Sequence, residues 1–477
     1  MNELNRNTHK TEQLPIRVLQ FGEGNFLRAF VNYAIQTLNQ KSDFNGGVCV
    51  VQPINNGLVD MLKQQDGLYT LYLNGIKNGE AVSENQVISC IQDAINPYSD
   101  FDLYKKQAYN SDLRFIVSNT TEAGIAFNAD DQLSDAPASS FPGKLTQLLF
   151  ERFNHFNGAA DKGLIFLPCE LIDKNGTQLR EMILKYADLW NLSEDFVNWI
   201  HNHNIFCNTL VDRIVPGYPK DKIAQLQEEL GYKDNLIVEG EQFMLWVIES
   251  DQSVSEELPF EQTDLNVIFT KDLTPYRTRK VRILNGAHTT MVPLAYLYGL
   301  RTVKETVEND VIGRFISKVI ATEIIPTLDM PLEEQQSFAA DVMDRFKNPY
   351  IKHYLISIAL NSISKYKTRV LPSLLQYQKQ YGEVPKGLVL SLAALICFYK
   401  GEWNAEQIDL KDDQQLLDFF QQQWETNSTA IDVLVEKTLE LSAWGLNLNE
   451  VEGLAQAVTS AVEAILGGKL EKSLMNY

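Results

Sequence analysis

Cysteine is scarce in this sequence. Five residues among 477, Cys49, Cys90, Cys169, Cys207 and Cys397, lie scattered and never form a Cys-x-x-Cys pair. That argues against a disulfide framework and a cysteine zinc site. Histidine is nearly as rare, with six residues. His201 and His203 have alternate spacing but no third ligand nearby, so they read as the solvated end of a helix. Basic residues are outnumbered: 42 Lys and Arg against 62 Asp and Glu give a net charge of -20. Such a balance opposes binding to nucleic acid and to anionic membrane surfaces, so an anionic ligand needs a local basic pocket. There is no run of about 18 apolar residues and no apolar signal core in residues 1–9. The expectation is a cytoplasmic protein with no nucleic-acid or membrane partner.

What is present is an ordinary globular composition, 44% hydrophobic and 22% charged, in a chain long enough for two domains. Residues 16–21 read as a strand ending at Phe21, followed by Gly22-Glu23-Gly24-Asn25 and a helix-like run from Phe26. Gly22 suits a tight turn, Gly24 lets a pyrophosphate approach the backbone, and N–H groups at a helix start favour negative charge. Leu27 stands at the third glycine position, so the stretch reads either as a dinucleotide site or as a plain strand-to-helix turn. The next buried strand, residues 48–51, is followed by Gln52 and Pro53 where many NAD-binding sheets carry an acid for the ribose. The choice between NAD and NADP is therefore open. Residues 67–73 are strand-like, and Asn74-Gly75 with Asn78-Gly79 predicts a hairpin. A further strand at 114–118 ends in Asn119-Thr120-Thr121-Glu122-Ala123-Gly124, a wall for a nicotinamide or a polar turn.

The strand at 163–168 runs into Cys169, read as a small buried thiol, and then to Asn175, a second amide for a developing alkoxide. In the apolar run 206–216, Asp212-Arg213 marks a structural ion pair or an active-site wall. Residues 243–248 and 265–269 read as the last strands before Thr274-Pro275 starts a helix, and helical spacing dominates thereafter. The predicted fold is α/β: a Rossmann-like doubly wound domain over 12–274, then a mostly α-helical domain over 275–477.

Early in the second domain, Lys280-Val281-Arg282-Ile283-Leu284-Asn285-Gly286-Ala287-His288 places three polar groups together. At 100° per residue in an α-helix, Asn285 lies about 140° and His288 about 80° round from Lys280, so all three share one broad face. An amine, an amide and an imidazole suit removal of a proton from an alcohol and stabilisation of its oxygen. A solvated amphipathic face is the plain alternative. Residues 345–353 and 364–369 concentrate positive charge in an acidic chain, as a clamp for a carboxylate or phosphate or as a solvated basic face.

Taken in order, Gly22-Glu23-Gly24-Asn25-Phe26, Val211-Asp212-Arg213-Ile214 and Lys280, Asn285 and His288 resemble the polyol-specific long-chain dehydrogenases and reductases, the mannitol dehydrogenase family, over roughly residues 15–470. The resemblance implies metal-free, NAD-dependent hydride transfer at a secondary alcohol carbon of a small-molecule sugar acid. It also implies Lys280 as general base, Asn175 and Asn285 on the reacting oxygen, and His288 on a substrate hydroxyl. Phe21, Gly22, Gly24, Asn25, Phe26, Asn119 and Thr120 are expected at the cofactor, and Lys365, Arg369 and Asp212 at the substrate. Lys365 stands where the family places an arginine, and Asn204 departs from the apolar start of the family signature. A sister activity of the same family on mannonate and fructuronate or on a neutral polyol, a nucleotide-binding sensor or scaffold, and a Schiff-base aldolase are the alternatives. A monomer or small homo-oligomer is expected.

Overall fold

Short strands that are apolar on both faces must be covered on both sides, and the chain meets that demand with parallel strands and returning helices. The computed structural model describes every residue except Asn78 and Glu122, with the side chains of Lys77 and Gln252 also left aside. Asn78 of the expected hairpin turn and Glu122 of the expected wall therefore lie outside the described residues. Two compact units result, Met1–Gly75 with Val82–Leu273, and Thr274–Tyr477 with Ile76–Ala81.

In the first unit, β1 (Ile16–Phe21), β2 (Gly47–Val51), β3 (Ile91–Ile95), β4 (Phe115–Ser118), β5 (Ile165–Pro168) and β6 (Ile205–Phe206) form one parallel sheet. Its order is β3-β2-β1-β4-β5-β6. Side chains alternate across it. Val18, Val48, Val50, Phe115, Val117, Ile165 and Leu167 enter one core, while Leu19, Cys49, Val51, Ile116 and Phe166 enter the other. The order reverses between β1 and β4, so the crevice for a ligand opens beyond Phe21 and Ser118. Helices α1 (Asn25–Ala29) and α2 (Val31–Lys41) follow β1, and α3 (Asn175–Leu189) follows β5.

A second, three-stranded sheet joins β7 (Asn208–Asp212) antiparallel to β8 (Leu245–Glu249), with β9 (Val267–Thr270) parallel to β8. The strands Tyr69–Lys77 and Glu80–Ile88 lie in a third sheet with Val238–Glu241. Arg213, just after β7, is buried and donates to the carbonyls of Ala29 (2.6 Å), Phe243 (3.0 Å) and Gln242 (3.2 Å) beneath the ring of Tyr33. This is a structural tie among three segments. It meets the rule that a buried charge must be hydrogen-bonded. All five cysteines are free and buried, and burial pushes the Cys169 thiol well above its usual range. His201 and His203 end the exposed last turn of Glu194–His203.

From Thr274 onward the described residues of the second unit are helical apart from a two-stranded turn at Glu402–Trp403 and Glu406–Gln407. It opens with α4 (Thr274–Arg279), which starts at Thr274-Pro275. Lys280–Asn285 then forms a π-helix rather than the α-helix assumed from the sequence, before α5 (Gly286–Tyr298) resumes α geometry. Beyond it come α6 (Leu332–Phe346), α7 (Ser362–Arg369), α8 (Lys386–Phe398) and α9 (Leu454–Leu466). α5 and α8 are apolar nearly all round, and they pack on each other as the centre of this unit. Among the described residues, no helix is long and apolar enough to cross a membrane.

Candidate active site

The first unit contributes a turn shaped for a diphosphate. Gly22 donates its N–H to the carbonyl of Val51 (3.0 Å) and has φ +125°, a conformation open to glycine and strained for other residues. A Cβ there would stand 3.0 Å from Cδ1 of Leu27, the residue at the third glycine position. Gly24 faces open space, with no atom within 4 Å of an added Cβ, which is the clearance a pyrophosphate needs. Arg28, unnoticed in the sequence because it sits among apolar residues, is buried and braces the turn. It donates to the carbonyls of Glu23 (3.2 Å) and Leu236 and to Oδ1 of Asn25 (2.7 Å). Asn25 is thus fixed from within. The Phe21 ring is enclosed between Tyr104 and Phe141, and its carbonyl accepts the N–H of Asn119 (3.2 Å). The Phe21 side chain serves the core. Phe26 is half-buried and stacks on Phe30 at 5.1 Å.

The loops after β4 and β5 are joined by Glu170, a buried acid that local sequence pattern gave no reason to single out. Its carboxylate accepts from Ser118 Oγ (3.0 Å), Thr120 N (2.9 Å) and Thr120 Oγ1 (3.0 Å). Burial raises the pKa of Glu170 and these donors partly restore its acidity. Asn119 adds a bond from Nδ2 to the carbonyl of Cys169 (2.7 Å), and its own carbonyl lies beside Gly22. Asn119 and Thr120 therefore stand at the crevice, held by one network.

Asn175 departs from expectation. It has no solvent exposure; Nδ2 reaches the carbonyls of Pro168 (2.9 Å), Glu170 (3.1 Å) and Thr209 (3.2 Å), while Oδ1 accepts from the N–H of Gly176 and of Thr209 (2.9 Å each). With both amide hydrogens engaged, no donor remains for a reacting oxygen. Asn175 instead ties the loop after β5 to β7. Asp212 is buried as the last residue of β7, opposite Leu245.

In the second unit, Lys280 and Asn285 bracket the π segment and are half-buried. A π turn closes hydrogen bonds five residues apart, so residues at i and i+5 come close to one turn apart instead of about 140° round. The wider turn draws the amine and the amide toward the same side. His288 follows in α5 and is buried, its ring 4.2 Å from that of Phe346 and 5.1 Å from that of His353. Its Nε2 is enclosed and has no hydrogen-bond partner. Burial, then the charges of His353, Arg345, Arg369 and Lys365, hold its pKa well below the ordinary imidazole value, so the ring is neutral. Lys365 donates to the carbonyl of Ile358 (2.8 Å), and burial with the neighbouring Arg369 lowers its pKa. Arg282 lies half-buried on the π segment and donates to Ser373 Oγ (3.2 Å). The two basic segments of the sequence thus converge on His288. Among the described residues, no group of three His, Cys, Asp or Glu side chains is placed to hold a metal ion.

A doubly wound sheet with a glycine turn, and a helical unit carrying Lys, Asn and His beside a cluster of basic side chains, define a two-domain dehydrogenase. A model of the mannitol dehydrogenase Rossmann domain matches residues 16–262 and one of the mannitol dehydrogenase C-terminal domain matches residues 272–466, so the chain belongs to the mannitol dehydrogenase family. It is 49% identical over 471 residues to the altronate oxidoreductase of Enterobacter sp. (strain 638), covering 98% of each chain. It is also 49% identical over 480 residues to the altronate oxidoreductase of Bacillus subtilis (strain 168), covering 100% of this chain and 98% of that one. Its fold matches a D-sorbitol dehydrogenase in substrate-free form with TM-score 0.81 and 21% identity, over 99% of this chain and 100% of the other. A Pseudomonas fluorescens mannitol 2-dehydrogenase, solved as a ternary complex with NAD and D-mannitol, matches with TM-score 0.68 and 21% identity over 99% of each chain.

Proposed function

We propose that this protein is an NAD-dependent oxidoreductase that interconverts D-altronate and D-tagaturonate in hexuronate breakdown. The gathering of Arg345, His353, Lys365 and Arg369 around His288, in a chain of net charge -20, carries the sugar-acid part of the reading: such a pocket suits a carboxylate. Near-half identity to altronate oxidoreductases through both units supports the choice of sugar acid.

NAD, when bound, takes up a hydride from the alcohol carbon in one direction and NADH returns it in the other. Gly22 and Gly24 fit its diphosphate, and Asn119 and Thr120 line the crevice beyond β4. Lys280 exchanges the hydroxyl proton through Nζ, so oxidation of the alcohol releases a hydride and a proton and leaves a ketone. Asn285 donates a hydrogen bond to the reacting oxygen. The neutral His288 ring can donate at one nitrogen and accept at the other, and the enclosed, unpartnered Nε2 fits a substrate hydroxyl. Lys365 and Arg369 hold the carboxylate. Asn175 acts on the shape of the loop after β5.

Oxidation of NADH and NADPH with tagaturonate, fructuronate and fructose in parallel tests the assignment. Tagaturonate with NADH should turn over fastest; fructose turned over as well as either uronate would remove the need for a carboxylate pocket. Replacing the proton carrier, Lys280→Ala, should lower kcat by about 10²–10⁴-fold with NADH binding kept. A fully active variant would sink the role of Lys280.

A further inference from the structure

In sheets of this order, the ribose of a dinucleotide lies at the end of the second strand, and here no acid follows β2. Gln52, the residue in that place, is buried, and its amide hydrogens go to the carbonyls of Ile54 and Asn55 in its own loop (2.9 Å each). Pro53 has no polar side-chain atom. A carboxylate is nevertheless present, and it comes from the glycine turn. Oε1 of Glu23 accepts the N–H of Leu58 (3.3 Å), and it would stand 2.0 Å from a Cβ built on Gly57, with the Gln52 amide carbon 2.6 Å from the same point. Glu23 is 7% exposed, yet its Oε2 has no hydrogen-bond partner. Burial raises its pKa, countered by its own and the Leu58 N–H groups and by Arg28. A buried carboxylate oxygen with no donor is costly until one arrives.

We propose that Glu23 takes the place of the missing acid: its carboxylate accepts the 2′-hydroxyl of the adenosine ribose and repels a 2′-phosphate, setting the preference for NAD over NADP. The inference rests on the dinucleotide reading of the preceding section. A carboxylate presented from the glycine turn that reaches the loop after β2 can select as one on that loop does.

Calorimetric titration of the full chain with NAD, NADP and 2′-deoxy-NAD tests it. A hydrogen bond to a charged group contributes about 1.5–3 kcal/mol, roughly 10- to 150-fold in affinity, so wild type should bind NAD at least about tenfold tighter than either analogue. In Glu23→Gln, which keeps the shape, both differences should shrink by about tenfold or more. Three results overturn the inference: equal wild-type affinity for NAD and 2′-deoxy-NAD, which needs no variant; equal weakening of all three ligands in Glu23→Gln, the mark of a residue that only pins the loop; or a wild-type preference for NADP. Failure of wild type to bind any of the three would instead overturn the dinucleotide reading itself, and the inference with it.

Discussion

His288 is held neutral by burial against Phe346 and by the positive charges around it. Its folded-state pKa is below its ordinary value of about 6.5, so between the two the unfolded chain binds more protons than the folded one. The contribution is present in full above about pH 6.5 and is lost as pH falls toward the folded-state value; His353, also lowered by burial, acts in the same direction. Melting temperatures from pH 7.5 to 5.5 should therefore fall more steeply for wild type than for His288→Asn, and parallel curves would contradict this. Lys365→Ala should raise KM for the uronate by roughly 10- to 100-fold with a smaller effect on kcat, as for loss of a charged hydrogen bond, and leave a neutral ketose unaffected. As candidates, Lys280, Asn285 and His288 stand out from spacing and from the order of motifs. The anchoring of Asn175 is not legible in the sequence because its partners Thr209 and Pro168 meet it only through the fold. Arg28, Glu170 and Glu23 were invisible because a buried charge looks like a surface one until its partners are known.

The parallel strands announce themselves as apolar runs of the right length, and the change to helical spacing after residue 274 is equally plain. The π turn was not legible, since the same residues suit an α-helix and only the hydrogen-bond register differs. It is followed at once by Gly286, where an added Cβ would stand 3.2 Å from the carbonyl oxygen of Arg369. Glycine there allows the end of α7 to lie against the start of α5, which seats Arg369 near His288. Gly286→Ala should cost about 1–3 kcal/mol by overpacking and raise KM for the uronate, as seen by denaturant titration and steady-state kinetics. Unchanged stability and KM would show that α7 moves aside freely.

Over the whole chain, excess negative charge is combined with a local cluster of basic side chains around His288, so repulsion from polyanions and attraction of one small anion can coexist. Dialysis against a chelator should leave turnover unchanged, given the side chains present; loss of activity restored by a divalent ion would refute this. NADH at a hundredfold its Kd should stabilise the chain by about 2.7 kcal/mol, read as a rise in Tm of several degrees. The wide turn at Lys280–Asn285 also limits how the gene can vary. A substitution that let that stretch relax to an ordinary α-helix with no residue lost would rotate everything downstream by roughly 100° relative to Lys280. Loss of one codon between 281 and 284 would instead offset the change, since four α residues turn through nearly the angle of five π residues. In the first case the length of the chain would be intact, while the phase between the amine and the imidazole would be gone.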